Sequence, residues 1–220
     1  MHRLRQLLRR RRPLVLSAQE AYDAWAPEYP PRPHNAFMQL EQDTLLAMLP
    51  DDLRGQTVLD LAAGSGRWGE LAAQRGAALV LSLDASAAML RAGTPPHPVE
   101  AEMTALPLRA RSLDVIICGL AVGHLPKPRL WALLTEIRRA LRPGGVALLS
   151  DVHPHRMWSG GQRRGQRGGH VFGIEHYIHS WADYHAACTR LNLHIADVRE
   201  VPVLVGEPPA LLALALRRID

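Results

Sequence analysis

The chain has little cysteine, only Cys118 and Cys188 in 220 residues. Two thiols do not make the disulfide framework of a small secreted scaffold, and Cys118 falls in an apolar run where a small buried side chain is expected. No stretch is apolar for the length a bilayer span requires. The apolar segment after Arg12 is short and opens on Pro13, unlike the core of a signal peptide. There are no internal repeats. The eleven histidines include no helical His-x-x-x-His pair, and no cysteine pair accompanies them, so a zinc site has no support. His153 and His155, with His170, His176 or His179, read instead as a solvated, histidine-rich segment. Basic charge is also scarce outside one place. The formal net charge is +5, but Arg3, Arg5, Arg9, Arg10, Arg11 and Arg12 supply six of the 26 basic residues, and without them 20 face 21 acidic ones. That pattern gives no nucleic-acid-binding face. Residues 1–17 are expected to be a flexible, solvated tail, with an acidic partner or membrane surface as the alternative use. The remainder, 18–220, is expected to fold as one cytoplasmic domain with a full-sized core.

What the chain does have is Val58-Leu59-Asp60-Leu61-Ala62-Ala63-Gly64-Ser65-Gly66-Arg67. A short apolar strand runs into a glycine turn and then a helix. Such a turn lets a ligand approach the backbone closely, and the helix N-terminus behind it offers unpaired N–H groups. Gly64-Ser65-Gly66-Arg67-Trp68-Gly69 satisfies the dinucleotide string G-x-G-x-x-G. Asp60 argues against a dinucleotide, because a carboxylate at the end of the first strand would repel a pyrophosphate. S-adenosylmethionine carries no phosphate, and its ammonium and sulfonium suit that carboxylate. The nicotinamide cofactor remains the weaker alternative.

Beyond this turn, strands are predicted at 57–61, 78–83, 97–101, 113–118 and 146–151, with helices at 67–75, 86–92 and 128–141. This alternation gives parallel βαβ units with helices on both faces. Helices are also predicted over Ala18 to Ala26, Phe37 to Leu49 and Trp181 to Leu191. Leu141-Arg142-Pro143-Gly144-Gly145 reads as a helix stop and turn. Gly160 to Gly169, rich in Gly, Arg and Gln, reads as a mobile loop, and 152–182 as an insertion on the substrate side. His194 to Val203 and Leu211 to Arg217 read as a closing antiparallel pair.

Four segments in this order, VLDLAAGSGR (58–67), LSLDASAAML (81–90), EMTALPLRARSLDVIICGLAVGHL (102–125) and ALRPGGVALLSD (140–151), resemble the class I S-adenosylmethionine-dependent methyltransferases. The resemblance is to the type-11 group, which includes ubiquinone and menaquinone biosynthesis methyltransferases. It implies an α/β, Rossmann-like fold with a mostly parallel seven-stranded sheet, an antiparallel C-terminal hairpin and helices on both faces. It implies S-adenosylmethionine as cofactor and methyl transfer to a small molecule (EC 2.1.1.-), with oxygen favoured as the acceptor atom and carbon or nitrogen open. A protein of this fold that binds the cofactor without transferring its methyl group is the main alternative. Oligomeric state and pathway are not legible.

On this pattern Asp60, Ala62, Gly64 and Gly66 are expected around the methionine moiety. Asp84, with Ala85 beside it, is placed to accept from the ribose hydroxyls, and Ser86 to cap the next helix. Met89 is expected over the adenine, Glu102 and Met103 at its edge, and Gly119 and Leu120 beside adenine and methionine. Glu102 stands where the family has aspartate. Tyr22-Asp23-Ala24-Trp25-Ala26-Pro27-Glu28-Tyr29 resembles the family's Y-D-x-x-A-x-x-Y segment, with Tyr22 expected at the cofactor and Tyr29 at the substrate. His124 and His153 follow strand ends and are candidate general bases. Together with His155 and His176 they are candidate substrate contacts.

Overall fold

Residues 14–30 and 32–220 are described by a computed structural model of the chain. The arginine run from Arg3 to Arg12 lies outside the described residues.

Five strands run on from one another in parallel register: β2 (Thr57–Leu61), β3 (Leu79–Asp84), β4 (Pro98–Glu100), β5 (Leu113–Gly119) and β6 (Leu141–Val152). The sheet is completed by β9 (Leu193–Val201) and β10 (Leu211–Arg218), giving the order β4-β3-β2-β5-β6-β10-β9. Only β10 runs opposite to the rest of this sheet, antiparallel to both β6 and β9. The central strands are apolar on both faces, as a sheet covered on both sides requires. Val58, Val115, Ile117 and Leu148 pack on one face with Leu45, Trp68 and Ala72, from α2 (Ala36–Leu46) and α3 (Arg67–Gln74). Leu59, Ile116 and Leu149 pack on the other with Leu130, Leu133, Leu134 and Ile137 of α5 (Lys127–Ala140) and with Ala187 of α7 (Trp181–Arg190). The spacing of the four α5 residues is one helix face. At the sheet edge, β9 alternates between more and less exposed positions.

The sequence-derived elements hold to within a few residues, with three corrections. Leu141 to Gly145 is not a turn before the strand. Leu141 already pairs with Leu113, the register then shifts, and Val146 pairs with Val115, so the intervening residues bulge out of β6. Gly160 to Gly169 is not an irregular loop. It contains β7 (Arg163–Arg167), which pairs with β8 (His170–Ile174) across Gly168 and Gly169. Both turn glycines have positive φ, 54° and 77°, as a two-residue hairpin turn demands. Finally, the segment before residue 18 contributes to the fold. β1 (Val15–Leu16) runs parallel to β8, and Ser17 caps α1 (Ala18–Trp25) with Glu20 in a reciprocal pair.

These three short strands and α1 form a roof over the carboxyl ends of β2, β3 and β5. Ala21, Phe172 and Ile174 make its small core, with Leu16, Tyr22 and Trp25 against them. The remaining α-helices among the described residues are α4 (Ala87–Ala92) and α6 (Pro154–Trp158). Among the described residues no helix is long and apolar enough to cross a membrane.

Candidate active site

The glycine turn is held by two carboxylates in different ways. Gly66 precedes α3 with φ 94°, a conformation that disfavours a side chain, and it has none with which to cap the helix. A Cβ there would meet Pro95 at 2.6 Å. Asp60 does the capping from β2, its Oδ2 accepting the Gly69 N–H at 2.7 Å. Asp60 is 1% exposed. Burial pushes its carboxyl up to about 7, against the Gly69 N–H and Arg67, which favour the charged form. Asp84, at the end of β3, accepts from the N–H groups of Gly64 and Ser86, each at 2.8 Å. Burial raises its pKa, and those two N–H groups oppose the rise. Ser86 caps α4, accepting from Met89 N–H at 3.0 Å, and its hydroxyl reaches Asp23 of α1. The roof is thereby tied to the rim of the turn.

Above the turn and under the roof lies a cavity of about 800 Å³, a size that accommodates a drug-sized ligand. Its floor and one side are Ala62, Gly64, Asp84, Ala85 and Met89, followed by Glu102, Met103, Gly119 and Leu120. Ala62 and Leu120 both have φ 57°, where the chain bends out of β2 and β5. Glu102 accepts from Arg129 Nη2 at 2.8 Å. The far side is formed by Tyr22, Trp25, Tyr29, His124 and Arg163.

At that far side the bonding fixes one imidazole tautomer. His124 Nδ1 lies 2.9 Å from the Glu175 carbonyl, which can only accept, so Nδ1 carries the hydrogen and Nε2 the lone pair. Tyr22 Oη is 3.3 Å from Nε2 and therefore donates to it. Arg163 Nη2 donates to Tyr22 Oη at 3.2 Å and to the Leu120 carbonyl at 3.0 Å. Burial, then the Arg163 charge, lower the His124 pKa to about 4. Burial also raises the Tyr29 pKa. Tyr22, Trp25, Tyr29 and His34 pack ring against ring.

Not every sequence-derived site residue reaches the cavity. Asp60 and Gly66 stand behind its wall and shape the turn rather than face a ligand. His153 begins α6, where its Nδ1 accepts from the His155 N–H, and its Nε2 sits 2.9 Å from Glu200 of β9. That contact turns it toward the antiparallel edge, away from the cavity. His155 is exposed on α6. The His176 side chain is 4% exposed and lies against Asp151, Nε2 to Oδ1 3.8 Å. Among the described residues no three His, Cys, Asp or Glu side chains form a metal-holding group.

Two further residues were not anticipated, Glu41 beneath the cavity and Arg163 on its wall. Glu41 of α2 is fully buried, pairs with Arg67 at 2.7 Å and accepts from Ser150 at 2.8 Å. It thereby binds α2, α3 and β6 together beneath the floor. A Cβ at Gly119 would sit 2.7 Å from this carboxylate and 2.4 Å from Trp68 Nε1. Arg163 was hidden in the supposed loop. The Gly168-Gly169 pair was the available signal, since two glycines between strand-length segments mark a hairpin.

The sequence and the fold both have likenesses among known proteins. A family model described as a methyltransferase domain matches residues 58–145. An uncharacterized methyltransferase of Mycobacterium ulcerans is 33% identical over 144 residues, which is 63% of this chain and 52% of the relative. Another from Mycobacteroides abscessus is 32% identical over 135 residues, 57% of this chain and 48% of the relative. The chain thus spans about half the length of the curated relatives it matches. Among solved structures, the DhpI–SAH complex shares 26% identity and a TM-score of 0.69, covering 92% of this chain and 95% of that one. A S-adenosylmethionine-dependent methyltransferase from Mesorhizobium loti shares the fold with a TM-score of 0.68, at 23% identity, covering 84% and 100%.

Residues 58–145 thus match a methyltransferase domain, and the chain is similar in fold to S-adenosylmethionine-dependent methyltransferases.

S-adenosylmethionine is the cofactor that goes with this methyltransferase fold, and the cavity offers what it needs. An acidic side chain stands at the end of β3 beside the glycine turn. The turn itself has no side chain at Gly64, where a Cβ would press on Met89 at 3.1 Å. The indole N–H groups of Trp25 and Trp68, two wall residues, have no partner among the described residues.

Proposed function

We propose that this chain transfers the methyl group of S-adenosylmethionine to a small-molecule acceptor, with a hydroxyl oxygen as the favoured nucleophile. One observation supports the reading above others. Asp84 and the Gly64 turn line the same cavity as a neutral histidine whose Nε2 lone pair accepts from the Tyr22 hydroxyl. When bound, the sulfonium cofactor supplies an activated methyl group, whose carbon–sulfur bonding electrons stay with sulfur as the carbon–oxygen bond forms.

Asp84 would accept from the ribose hydroxyls, with Ala85 and Met89 beside the base and Glu102 and Met103 at its edge. The backbone at Ala62, Gly64, Gly119 and Leu120 would surround the methionine part. The roof excludes water and holds the acceptor in line, and such alignment supplies a large part of a displacement rate. His124 takes the acceptor's proton at Nε2, the atom to which Tyr22 now donates. Its pKa of about 4 keeps it unprotonated, hence able to accept, throughout the neutral range. Tyr29 is placed to pack against the acceptor.

Calorimetry with S-adenosylmethionine, S-adenosylhomocysteine and NAD tests the donor. The sulfonium compound and its demethylated product are expected to bind, and NAD is not. Incubating the protein with labelled S-adenosylmethionine and metabolite pools, followed by mass spectrometry, tests the transfer. Cofactor binding with no labelled product from any pool would instead indicate a binding protein.

A further inference from the structure

Arg163 is a cation with no carboxylate partner among the described residues. It opens β7 and faces the cavity from the roof. Its partners are one phenol oxygen and one carbonyl, both bonded through Nη2. No carboxylate of the described residues lies within ion-pair distance of it, and residues 1–13 and 31 contain no Asp or Glu. Asp151 acts on Arg163 only at a distance, its oxygens bonded to the Gly123 and Val152 N–H groups.

The other arginines of the wall differ. Arg67 is paired with Glu41 and Arg129 with Glu102. The Arg156 guanidinium lies over the Phe37 ring at 5.1 Å, and Arg164 is exposed beside Gln162. Covering an uncompensated charge is costly, and a guanidinium does not escape the cost by losing its proton. Burial works against its charge, while Tyr22 and Asp151 favour it. Two neutral acceptors on one nitrogen leave most of its five donors unused. Those donors sit on the His124 side of the cavity, away from the Asp84 end.

We propose that Arg163, with the Tyr22 hydroxyl beside it, is a receptor for an oxyanion on the methyl acceptor, a carboxylate or a phosphonate-type group. The acceptor is then an anionic small molecule anchored in the roof, with its nucleophile directed at His124. A planar fork suits such a group, since two parallel N–H···O bonds fix orientation as well as position. The inference rests on the reading that the Asp84 end holds the methyl donor.

The test uses the full chain loaded with S-adenosylhomocysteine. Benzoate and phenylphosphonate are titrated calorimetrically, with benzamide as the neutral counterpart. The wild type is expected to bind at least one anion, with benzamide at least tenfold weaker. The anion that binds more tightly names the acceptor's group. Arg163→Met is expected to weaken anion binding at least tenfold, and Arg163→Lys to retain part of it. S-adenosylhomocysteine affinity stays within about twofold in both variants if the arginine serves only the acceptor. Equal binding of benzamide and the anions, or undiminished anion binding by Arg163→Met, overturns the proposal. So does a loss of S-adenosylhomocysteine binding confined to Arg163→Met, which would assign the arginine to the donor's own carboxylate. Should Arg163→Met fail to fold, the wild-type comparison of anion with amide still decides. A wild type that does not bind S-adenosylhomocysteine at all refutes the donor reading, a separate failure.

Discussion

In the proposed reaction, single side chains divide the site into a donor end and an acceptor end, and each end can be tested alone. Asp84→Ala is expected to weaken S-adenosylhomocysteine binding by about 1.5–3 kcal/mol, the range for hydrogen bonds to a charged group. Calorimetry measures this, and unchanged affinity would remove Asp84 from the site. His124→Ala is expected to lower turnover by about 10²–10⁴ while leaving that affinity intact. Because the His124 pKa is lowered to about 4, this base is ready above pH 5, and the wild-type rate should show no histidine limb between pH 5 and 7. Asp60 makes a stability prediction. Its folded pKa of about 7 is raised from 3.8, so the native state holds more protons than the unfolded one between these values. Its contribution to stability is complete below about pH 4 and declines as pH rises through 7. Relative to wild type, Asp60→Asn should therefore gain melting temperature between pH 5 and pH 8, by the equivalent of a few kcal/mol at most. A gap that does not widen with pH would refute the assignment. The positions of Asp84 and His124 on the cavity wall were legible because strand ends in α/β sheets face ligands. The role of Asp60 was not, since sequence shows that an acid precedes a glycine turn and not which side of the turn it faces. His153 was misplaced for a similar reason: only the fold reveals Glu200 beside it.

At the level of elements, the parallel core was legible from apolar runs and their alternation with helices. Its boundaries in the structure differ by only a few residues, apart from β6. The roof was not legible. β1 has two residues and no periodicity, and its hydrogen bonds to β8 join segments far apart in sequence. β7 and β8 are polar and glycine-rich, so composition resembled a loop while the Gly168-Gly169 turn encoded a hairpin. Gly69→Leu tests the packing of α3 on the sheet. A Cβ at Gly69 would lie 2.8 Å from Ser82 Oγ and 3.3 Å from Asp60 Oδ2. The larger side chain is expected to push α3 off β3, at a cost of about 1–3 kcal/mol, read as a lower denaturation midpoint in urea. The same experiment on Gly206→Ala, where nothing lies within 4 Å of the Cβ but φ is +90°, separates backbone strain from collision.

Taken whole, the molecule owes its positive charge excess to six arginines in the first twelve residues, which lie outside the described residues. Deleting Met1 to Arg12 removes six arginines and leaves β1 and α1 in the chain. Cofactor affinity and melting temperature are expected to change little, and a loss of many degrees would show that this segment supports the fold. Deleting through Leu16 goes further, because Leu14 and Leu16 accept from Gly173 and Glu175 at 2.8 and 2.9 Å. That deletion should open the edge of β8 and increase protease cutting between residues 160 and 175, with S-adenosylhomocysteine affinity largely kept. The position of β10 has a different consequence, one for the ribosome. It follows every other described element, yet it lies between β6 and β9 rather than at an edge. At about 5–20 residues per second, synthesis of the stretch after β6 takes several seconds. During that time the apolar flank of β6 has no strand beside it and β9 has no neighbour at all. The nascent chain therefore passes through a stage with an open sheet edge, and a stall before residue 211 would leave it in the state most prone to pair with another chain.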